Sequence, residues 1–252
     1  MRVELLGTGT STGVPEIGCD CEVCTSSDPH DNRLRTAALV STCGKEILID
    51  CGPDFRQQML RAGKDKLDAV LLTHEHYDHT AGLDDLRPFC RYRSVPVYLE
   101  SRVADVIRMR MPYCFAENRY PGVPDIRLKE IGTDPFLCEG IPVIPIRAMH
   151  YRLPVLGFRI GDMAYITDLW RLPEEELPKL KGIKVLFINA LRKTKHLSHQ
   201  SLDEALALTG RIRPGHTYLL HMSHQIGLHA RVAAELPPGV TLGYDGLVVE
   251  TE

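Results

Sequence analysis

Four strong metal ligands fall within six residues of this chain, in the segment His74-Glu75-His76-Tyr77-Asp78-His79. The segment follows the apolar run Ala69-Val70-Leu71-Leu72, which predicts a short buried strand. Because alternate side chains of an extended backbone point to one side, the first two histidines are expected to face the same metal position. Asp78 and His79 then enter a turn or a helix and are expected to face a second, adjacent position. This density of ligands predicts a binuclear metal site rather than a solvated polar loop.

Further candidate ligands stand at the ends of other predicted strands. Three ionisable residues directly follow apolar runs of the sequence: His150, Asp168 and His221. A fold exposes its functional groups where buried strands end, whereas a histidine that only packs in the core would lie within the run. Each of these residues alone would be weak support. Their joint occurrence after the dense motif strengthens the prediction of a metal site.

A second cluster of ligands, Cys19-Asp20-Cys21-Glu22-Val23-Cys24, has the spacing C-x-C-x-x-C. In a cytosolic chain such a cluster indicates a thiolate metal site, with free or redox-active thiols as the alternative. Soft thiolates favour zinc, and a closed structural zinc site takes four ligands, so the fourth must come from elsewhere in the chain. The other cysteines are scattered and are expected to be packed or incidental: Cys43, Cys51, Cys90, Cys114 and Cys138.

The charge and hydropathy of the chain argue against several kinds of partner. The formal net charge is −3 at pH 7, so no global basic field attracts nucleic acid or an anionic membrane. No apolar stretch approaches the ~20 residues that span a bilayer. The start of the chain, Met1-Arg2-Val3-Glu4-Leu5-Leu6, lacks the basic and apolar regions of a signal peptide. These observations predict a cytoplasmic protein with no preference for nucleic acid and no membrane attachment.

Hairpin patterns and strand–helix units alternate along the chain without a Ser- or Gly-rich linker. Strands are predicted near 2–6, 36–42, 46–50, 68–72, 126–130, 136–138, 141–148, 155–160, 163–167, 184–189, 216–220 and 246–250. Helices are predicted near 54–62, 82–87, 173–181 and 200–211. This mixture predicts a single α/β domain over residues 1–252, in which helices cover sheets.

Two segments allow more than one interpretation. Residues 88–125 are expected to be irregular, with six Arg against four Asp or Glu. Their function is open between a substrate-facing lid, the dimer surface of a homodimer and a structural excursion. The segment repeats aromatic residues: Phe89, Tyr92, Tyr98, Tyr113, Phe115 and Tyr120. In the loop Gly7–Gly13, the glycines either present N–H groups to an anion or form a plain tight turn.

The ligand pattern resembles that of the metallo-β-lactamase superfamily of metal-dependent hydrolases. The resemblance extends over essentially the whole chain and implies a four-layer αββα sandwich with the site at one edge of its sheets. It also implies two metals, with Asp168 as the bridge between them. The residues that carry it are His74, His76 and His150 for one metal, and Asp78, His79 and His221 for the other.

The cysteine cluster narrows this resemblance. Together with His221-x-x-His224, it is similar to the branch that contains phosphoribosyl 1,2-cyclic phosphate phosphodiesterase. In that branch the counterpart of His224 completes a structural zinc site with the counterparts of Cys19, Cys21 and Cys24. Zinc there would fix the segment that carries His221. The branch also places a histidine near the leaving group, and His199 is the best match, with His196 as the nearby competitor.

The resemblance implies a metal-dependent phosphodiesterase that hydrolyses a small phosphodiester, cyclic in one interpretation, by a metal-bridging hydroxide. Asp78 and His199 are the expected catalytic residues. Two divalent ions, two carboxylates and one hydroxide leave one net positive charge, which favours an anionic phosphodiester. The active-site ions are expected to be Zn or Mn, beside one structural Zn. The alternatives are a ribonuclease Z-like RNA processing nuclease, lactamase or thioester hydrolysis, and a non-catalytic metal-binding protein.

Overall fold

Two seven-stranded β-sheets face each other in the computed structural model, which describes residues 1–91 and 93–251. Tyr92, one of the aromatic residues of segment 88–125, and Glu252, the end of the predicted domain, lie outside the described residues. The strands in chain order are β1 (Arg2–Gly7), β2 (Ala37–Thr42), β3 (Lys45–Ile49), β4 (Ala69–Leu71), β5 (Val95–Leu99), β6 (Ile126–Glu130), β7 (Phe136–Cys138), β8 (Ile141–His150), β9 (Leu153–Ile160), β10 (Met163–Ile166), β11 (Val185–Asn189), β12 (His216–Leu220), β13 (Val240–Leu242) and β14 (Val248–Glu250).

The first sheet has the strand order β14-β1-β2-β3-β4-β5-β6, and the second has the order β13-β12-β11-β10-β9-β8-β7. The α-helices are α1 (Phe55–Ala62), α2 (Tyr77–Thr80), α3 (Ser101–Arg110), α4 (Pro112–Phe115), α5 (Leu202–Ile212) and α6 (His229–Glu235). Shorter 3-10 helices span Pro29–Asp31, Ala81–Cys90, Glu174–Leu180 and His224–Ile226. Within the described part of the chain, every helix is too short or too polar to span a bilayer.

Strand alternation divides the apolar side chains among three core layers. In β3, Ile47 and Ile49 point into the core between the sheets, whereas Leu48 points outward. The outward side chains of the first sheet pack on helices through residues such as Phe55 and Ile107. The second sheet packs likewise on α5 and α6. The arrangement helix–sheet–sheet–helix confirms the four-layer αββα sandwich implied by the sequence.

The prediction that residues 88–125 are irregular is wrong. The segment contains β5, α3 and α4, and β5 lies between β4 and β6 with parallel pairing to both. Pro96 obscured the strand, because proline within an apolar run argues against a strand assignment. The signal for α3 was present in Val103, Ala104 and Ile107, which are spaced as one helix face and are buried.

Smaller corrections concern the second half of the chain. The helix predicted at 173–181 is the 3-10 helix Glu174–Leu180, since Pro178 lacks the N–H group that an α-helix would need. Strand β13 and helix α6 had not been predicted. The predicted strand at 246–250 is the shorter β14, which pairs with β1 at the edge of the first sheet.

The loop Gly7–Gly13 is a tight turn whose N–H groups are largely used within the protein. Gly9, Thr10 and Gly13 donate to carbonyl oxygens of Leu34, Met222 and Thr10 at 2.8, 3.0 and 2.8 Å. A Cβ at Gly9 would lie 2.7 Å from the Arg33 carbonyl oxygen, so the close approach of these two backbone segments requires glycine. These contacts favour the tight turn over an anion-binding loop.

Candidate metal centre

Strand ends bring the candidate ligands to one edge of the two sheets. Asp50 directly follows β3, His74 lies three residues after β4, His150 ends β8, and Asp168 and His221 follow β10 and β12. The pairs β3–β4, β10–β11 and β11–β12 are parallel, so their carboxyl ends lie on the same side. Asp50, Asp168 and His221 have left-handed φ angles of 63°, 55° and 55°, which end each strand at the site.

Asp168 lies at the centre of the cluster, and its two carboxylate oxygens face different histidines. Oδ2 is 3.1 Å from Nε2 of His79 and 3.3 Å from Nε2 of His221. Oδ1 is 4.0 Å from Nε2 of His74 and 3.8 Å from Nδ1 of His199. A carboxylate placed in this way offers one oxygen to each of two adjacent positions.

The position on the Oδ2 side is bounded by Asp78, His79 and His221. Oδ2 of Asp78 lies 3.1 Å from Nε2 of His79 and 3.5 Å from Nε2 of His221. The rings of His79 and His221 are nearly parallel, with an interplanar angle of 8°. The structure therefore brings together the three residues that the resemblance assigns to one metal.

The other position is surrounded by a wider set of histidines. The ligand atoms of His150, Asp168 and His199 lie within 4.8 Å of one another, and so do those of His74, His79 and Asp168. His76 is exposed and belongs to neither tight group, although its ring lies 4.5 Å from that of His74 and 5.2 Å from that of His150. The structure thus places His76 at the rim of the cluster and His199 inside it.

Hydrogen bonds on the far side of three rings turn Nε2 toward the cluster. Nδ1–H of His79 donates to Oδ2 of Asp50 at 2.7 Å, and Nδ1–H of His74 donates to Oγ1 of Thr73 at 2.9 Å. Nδ1–H of His150 donates to the carbonyl oxygen of Ser198 at 2.8 Å. Partners of this kind fix the tautomer that leaves Nε2 unprotonated, which is the form that binds a metal.

Several buried nitrogen atoms at the centre have no hydrogen-bond partner among the described residues. They are Nε2 of His74, His79 and His221, and Nδ1 of His199. An unpaired buried polar atom costs roughly 1–3 kcal/mol. A divalent cation would satisfy the three Nε2 atoms, and a mixed His/Asp donor set suits zinc, manganese or iron. The residues present therefore fit the divalent ions expected from the sequence.

Burial and charge set the protonation of two central residues. Burial lowers the pKa of His199 to about 3 against the opposing charge of Asp168, so its imidazole is neutral at pH 7. Burial opposes ionisation of Asp78, but the nearby imidazoles of His79 and His221 outweigh it and hold the pKa of Asp78 well below its usual range. Asp78 is therefore a carboxylate at neutral pH.

Backbone hydrogen bonds fix the segment that carries His199. The N–H of Gln200 donates to the carbonyl oxygen of Leu169, next to Asp168, at 2.9 Å. Ser201 then begins α5 with a capping box to Glu204. His196 lies outside the tight cluster and is half-buried, with its ring 5.3 Å from that of His199. Of the two competing histidines, His199 is the one that lies within the cluster.

The cysteine cluster and His224 form a separate site. The ligand atoms of Cys19, Cys21, Cys24 and His224 lie within 4.8 Å of one another, and Nδ1 of His224 is 3.3 and 3.2 Å from the first two sulfur atoms. The hydrogen bond with His224 lowers the pKa of Cys21 to about 6. Three thiolates and one imidazole are a typical tetrahedral zinc set. The predicted fourth ligand is therefore in place, three residues after His221.

Asp50 is the residue of the site that the sequence analysis missed. Its side chain is fully buried and accepts hydrogen bonds from His79 and from the N–H of Thr73, the latter at 2.9 Å. The signal was the same as for Asp168, since Asp50 ends the apolar run Ile47-Leu48-Ile49.

Comparison with known proteins agrees with this geometry. The family model of the beta-lactamase superfamily domain matches residues 45–222 of the chain. A solved diphosphatase from the PhnP family has a TM-score of 0.93 and 38% sequence identity, covering 100% of this chain and 98% of that chain.

Two curated relatives match parts of longer proteins. The octanoyltransferase of Porphyromonas gingivalis is 53% identical over 250 residues, which cover 98% of this chain and 51% of that protein. The chain thus spans about half the length of this relative. The ribonuclease Z of Bradyrhizobium diazoefficiens is 46% identical over 63 residues, 24% of this chain and 21% of that protein. From the family match and the two-sheet architecture, the chain belongs to the beta-lactamase superfamily and has the metallo-β-lactamase fold.

Proposed function

We propose that the chain is a binuclear metal-dependent phosphodiesterase that hydrolyses a small phosphodiester. The observation that carries this proposal is the position of Asp168, whose two oxygens face two different sets of histidines. The similarity to a PhnP-family diphosphatase, at 38% identity over the whole chain, favours a phosphate ester over an amide or a thioester as the substrate.

The proposed centre divides the ligands as the resemblance does. Asp78, His79 and His221 would hold one ion, and His74, His76 and His150 the other, with Asp168 between them. Two divalent ions held there would supply a nucleophile at neutral pH and positive charge for the phosphoryl oxygens. The exposed His76 lies on the solvent side of the proposed centre.

His199 is proposed to act on the leaving group. Its ring lies 4.5 Å from that of His150 and 4.9 Å from that of His221, so it reaches both halves of the centre. Because burial keeps the imidazole neutral, it carries one N–H group. That N–H is available to donate a hydrogen bond to the departing oxygen and to stabilise its developing charge.

The direct test is turnover by the purified chain, first stripped of metal with a chelator and then reconstituted with Zn²⁺ or Mn²⁺. We expect hydrolysis of bis(p-nitrophenyl) phosphate and of a small cyclic phosphodiester only after reconstitution. Asp168→Ala should lose active-site metal and turnover together, whereas Asp162→Ala, in an exposed turn, should keep both. If the fully metallated wild-type chain hydrolyses neither substrate, the proposal is wrong.

The second candidate is an RNA processing nuclease of the ribonuclease Z type. The observation in its favour is the 46% identity with ribonuclease Z over 63 residues. Against it stands the net charge of −3, since nuclease binding of RNA usually rests on a positive surface. Cleavage of a tRNA precursor by the reconstituted chain, at a rate above that for the small diesters, would favour this candidate.

Octanoyl transfer is not proposed for this chain. About half of the Porphyromonas gingivalis octanoyltransferase lies outside the matching region, so its transferase activity has another place to reside. The residues that match here include a hydrolase ligand set, which suits attack by water better than transfer of an acyl group.

A further inference from the structure

We infer that helix α3 is a brace that sets the distance between the two parts of one proposed metal position, the loop of His74 and His76 on the first sheet and His150 on the second. Arg102 and Arg110 of α3 hold the loop that carries His74 and His76, and Arg102 also ties this loop to the hairpin that carries His150. The inference rests on the proposed function, because it assigns positioning residues to the proposed centre.

The first contact of the brace is with Glu75, which stands between two candidate ligands. The Glu75 side chain is only 16% exposed, and its carboxylate pairs with the guanidinium of Arg102. Its backbone carbonyl accepts a hydrogen bond from Nη1 of Arg110 at 2.5 Å. One helix therefore holds both the side chain and the backbone of this residue.

Arg110 also reaches the next turn of the loop. Its Nη1 donates to the hydroxyl of Thr80 at 3.3 Å, and that hydroxyl donates to the carbonyl oxygen of His76 at 2.9 Å. Thr80 is buried whereas Arg110 is exposed, so the bond from Thr80 to His76 is the better shielded of the two. The backbone on both sides of His76 is thereby attached to α3, although the His76 ring itself is exposed.

The second contact crosses from the first sheet to the second. Nη2 of Arg102 donates to the carbonyl oxygen of Pro154 at 2.7 Å. Pro154 pairs with Met149, the residue before His150, in the hairpin of β8 and β9. A single guanidinium thus touches the loop of His74 and His76 on one side and the hairpin of His150 on the other.

A further ion pair anchors the beginning of α3 to the same hairpin. Glu100, the N-cap of the helix, accepts two hydrogen bonds from Arg147 at 2.8 and 2.5 Å. Arg147 lies in β8, three residues before His150. Bidentate pairs between Arg and a carboxylate have a fixed planar geometry, so this pair limits sliding of the helix along the hairpin.

A brace is needed because metal coordination tolerates only small changes in the positions of its ligands. His74 and His76 come from the first sheet and His150 from the second, while ligand distances must hold to within about 0.2 Å. Partners outside the ligands that orient them typically change metal affinity or activity about 10- to 100-fold when they are removed. The brace is therefore expected to act on the metal position between His74, His76 and His150, and not on the position of Asp78 and His221.

The test is calorimetric titration of metal-free protein with Zn²⁺, comparing Arg102→Met with the wild type. We expect one of the two active-site equivalents to bind about 10- to 100-fold more weakly, with the other equivalent and the cysteine site unchanged. Arg102→Lys should recover part of the affinity, since lysine keeps the charge opposite Glu75 but lacks the planar fork that also reaches Pro154.

The matched control is Arg108→Met. Arg108 lies on the same helix and pairs with Glu130 at 2.9 Å, but it makes no hydrogen bond to the loop that carries His74 and His76. It should bind all equivalents as the wild type does. Glu75→Gln, which keeps the shape and removes the charge, gives a second measurement if Arg102→Met does not fold.

Three results would be decisive against parts of this account. Wild-type affinity at every equivalent in both Arg102→Met and Glu75→Gln overturns the brace and leaves the phosphodiesterase untouched. Equal weakening by Arg108→Met overturns it too, because the effect would then reflect helix stability. A wild-type chain that binds no Zn²⁺ at all removes the metal centre, and with it the brace.

Discussion

At the scale of single residues, the dense motif and the strand-end ligands were readable from the sequence, but their relative placement was not. The sequence predicted ligands at His74, Asp78, His79, His150, Asp168 and His221, because strong ligands rarely follow apolar runs by chance, and the structure brings these side chains together. It did not indicate that His199 shares a tight group with Asp168, since that contact joins two different strand–loop connections. Spacing along a chain reports local geometry, whereas contacts between distant segments depend on packing.

The leaving-group assignment leads to a prediction for His199→Ala. Turnover of a small phosphodiester should fall about 100- to 10,000-fold, since the N–H donor to the leaving oxygen is lost. Metal content, measured by mass spectrometry of the digested protein, should stay at the wild-type value. His196→Ala is the control and should be nearly fully active. A loss of metal from His199→Ala would instead identify this residue as a ligand.

A second prediction concerns the buried carboxylate Asp50. In Asp50→Asn, the amide NH₂ faces one of the groups that now donate a hydrogen bond to Asp50. The hydrogen bond that holds the His79 ring in place is then lost. Metal affinity should fall about 10- to 100-fold in a chelator competition assay. Asp68→Asn is the matched control, because Asp68 is also buried and accepts from the backbone, here from Glu46 at 2.9 Å, away from the ligands. Equal affinity in the two variants would contradict the role of Asp50.

At the scale of elements, patterns of alternation located most strands, while composition misled the interpretation of residues 88–125. The sequence left a lid, a dimer surface and a structural excursion open for this segment, and two of its arginines, Arg102 and Arg110, contact the loop that carries His74 and His76. The sequence did reveal that Cys19-x-Cys21-x-x-Cys24 needs a distant fourth ligand. The resemblance named His224 as that ligand, and the structure places both His221 and His224 in the segment after β12, with His224 beside the cysteines.

One segment carries both His221 of the proposed active site and His224 of the cysteine site. This shared segment leads to a prediction for Cys24→Ser. This variant should lose one zinc per chain and should also bind active-site metal more weakly, because His221 is no longer held from three residues away. Metal content per chain and chelator competition measure the two effects. Cys43→Ser, at an exposed and isolated thiol, should leave both unchanged. Full turnover by a Cys24→Ser variant that has lost its zinc would show that the two sites are independent.

The same cluster should respond to pH. Zinc binds the thiolate, and the hydrogen bond with His224 lowers the pKa of Cys21 to about 6 in the metal-free chain. Protons therefore compete with zinc for Cys21 only below about pH 6, whereas burial raises the pKa of Cys24 to about 11, so protons compete for that sulfur at neutral pH as well and all the more as the pH falls. Dialysis at a series of pH values followed by metal analysis should show zinc loss on the acid side. Retention of zinc that does not vary with pH would contradict this expectation.

At the scale of the whole molecule, the resemblance predicted the four layers correctly, because ligand order along the chain is tied to one topology. Periodicity alone predicted helices that cover sheets, but not that the sheets would pack face to face. The inter-sheet core shows why: residues such as Phe158, Tyr165 and Phe187 come from the second half of the chain, and Ile47 and Ile49 from the first. Contacts between residues so far apart in the sequence leave no pattern in any short stretch of it.

The inter-sheet core leads to a prediction for Phe158→Ala. Phe158 is fully buried between the sheets, opposite Tyr165 in the neighbouring strand. Its truncation should lower the free energy of unfolding by about 3–5 kcal/mol, which urea denaturation measures. Leu137→Ala, with a side chain that is 64% exposed, should change stability by no more than about 0.5 kcal/mol. A small effect at Phe158 would mean that the sheets repack around the gap.

The left-handed backbone at Asp50, Asp168 and His221 has a consequence for how this protein would evolve under heat. Each of these conformations costs a non-glycine residue on the order of 1 kcal/mol, and glycine would adopt it freely. At Asp50 the hydrogen bonds from His79 and Thr73 outweigh this cost, but the ring nitrogens of His221 have no partner among the described residues, so selection for resistance to melting alone would favour glycine there. A heat-selected library should accumulate inactive glycine variants at His221 unless turnover is selected at the same time.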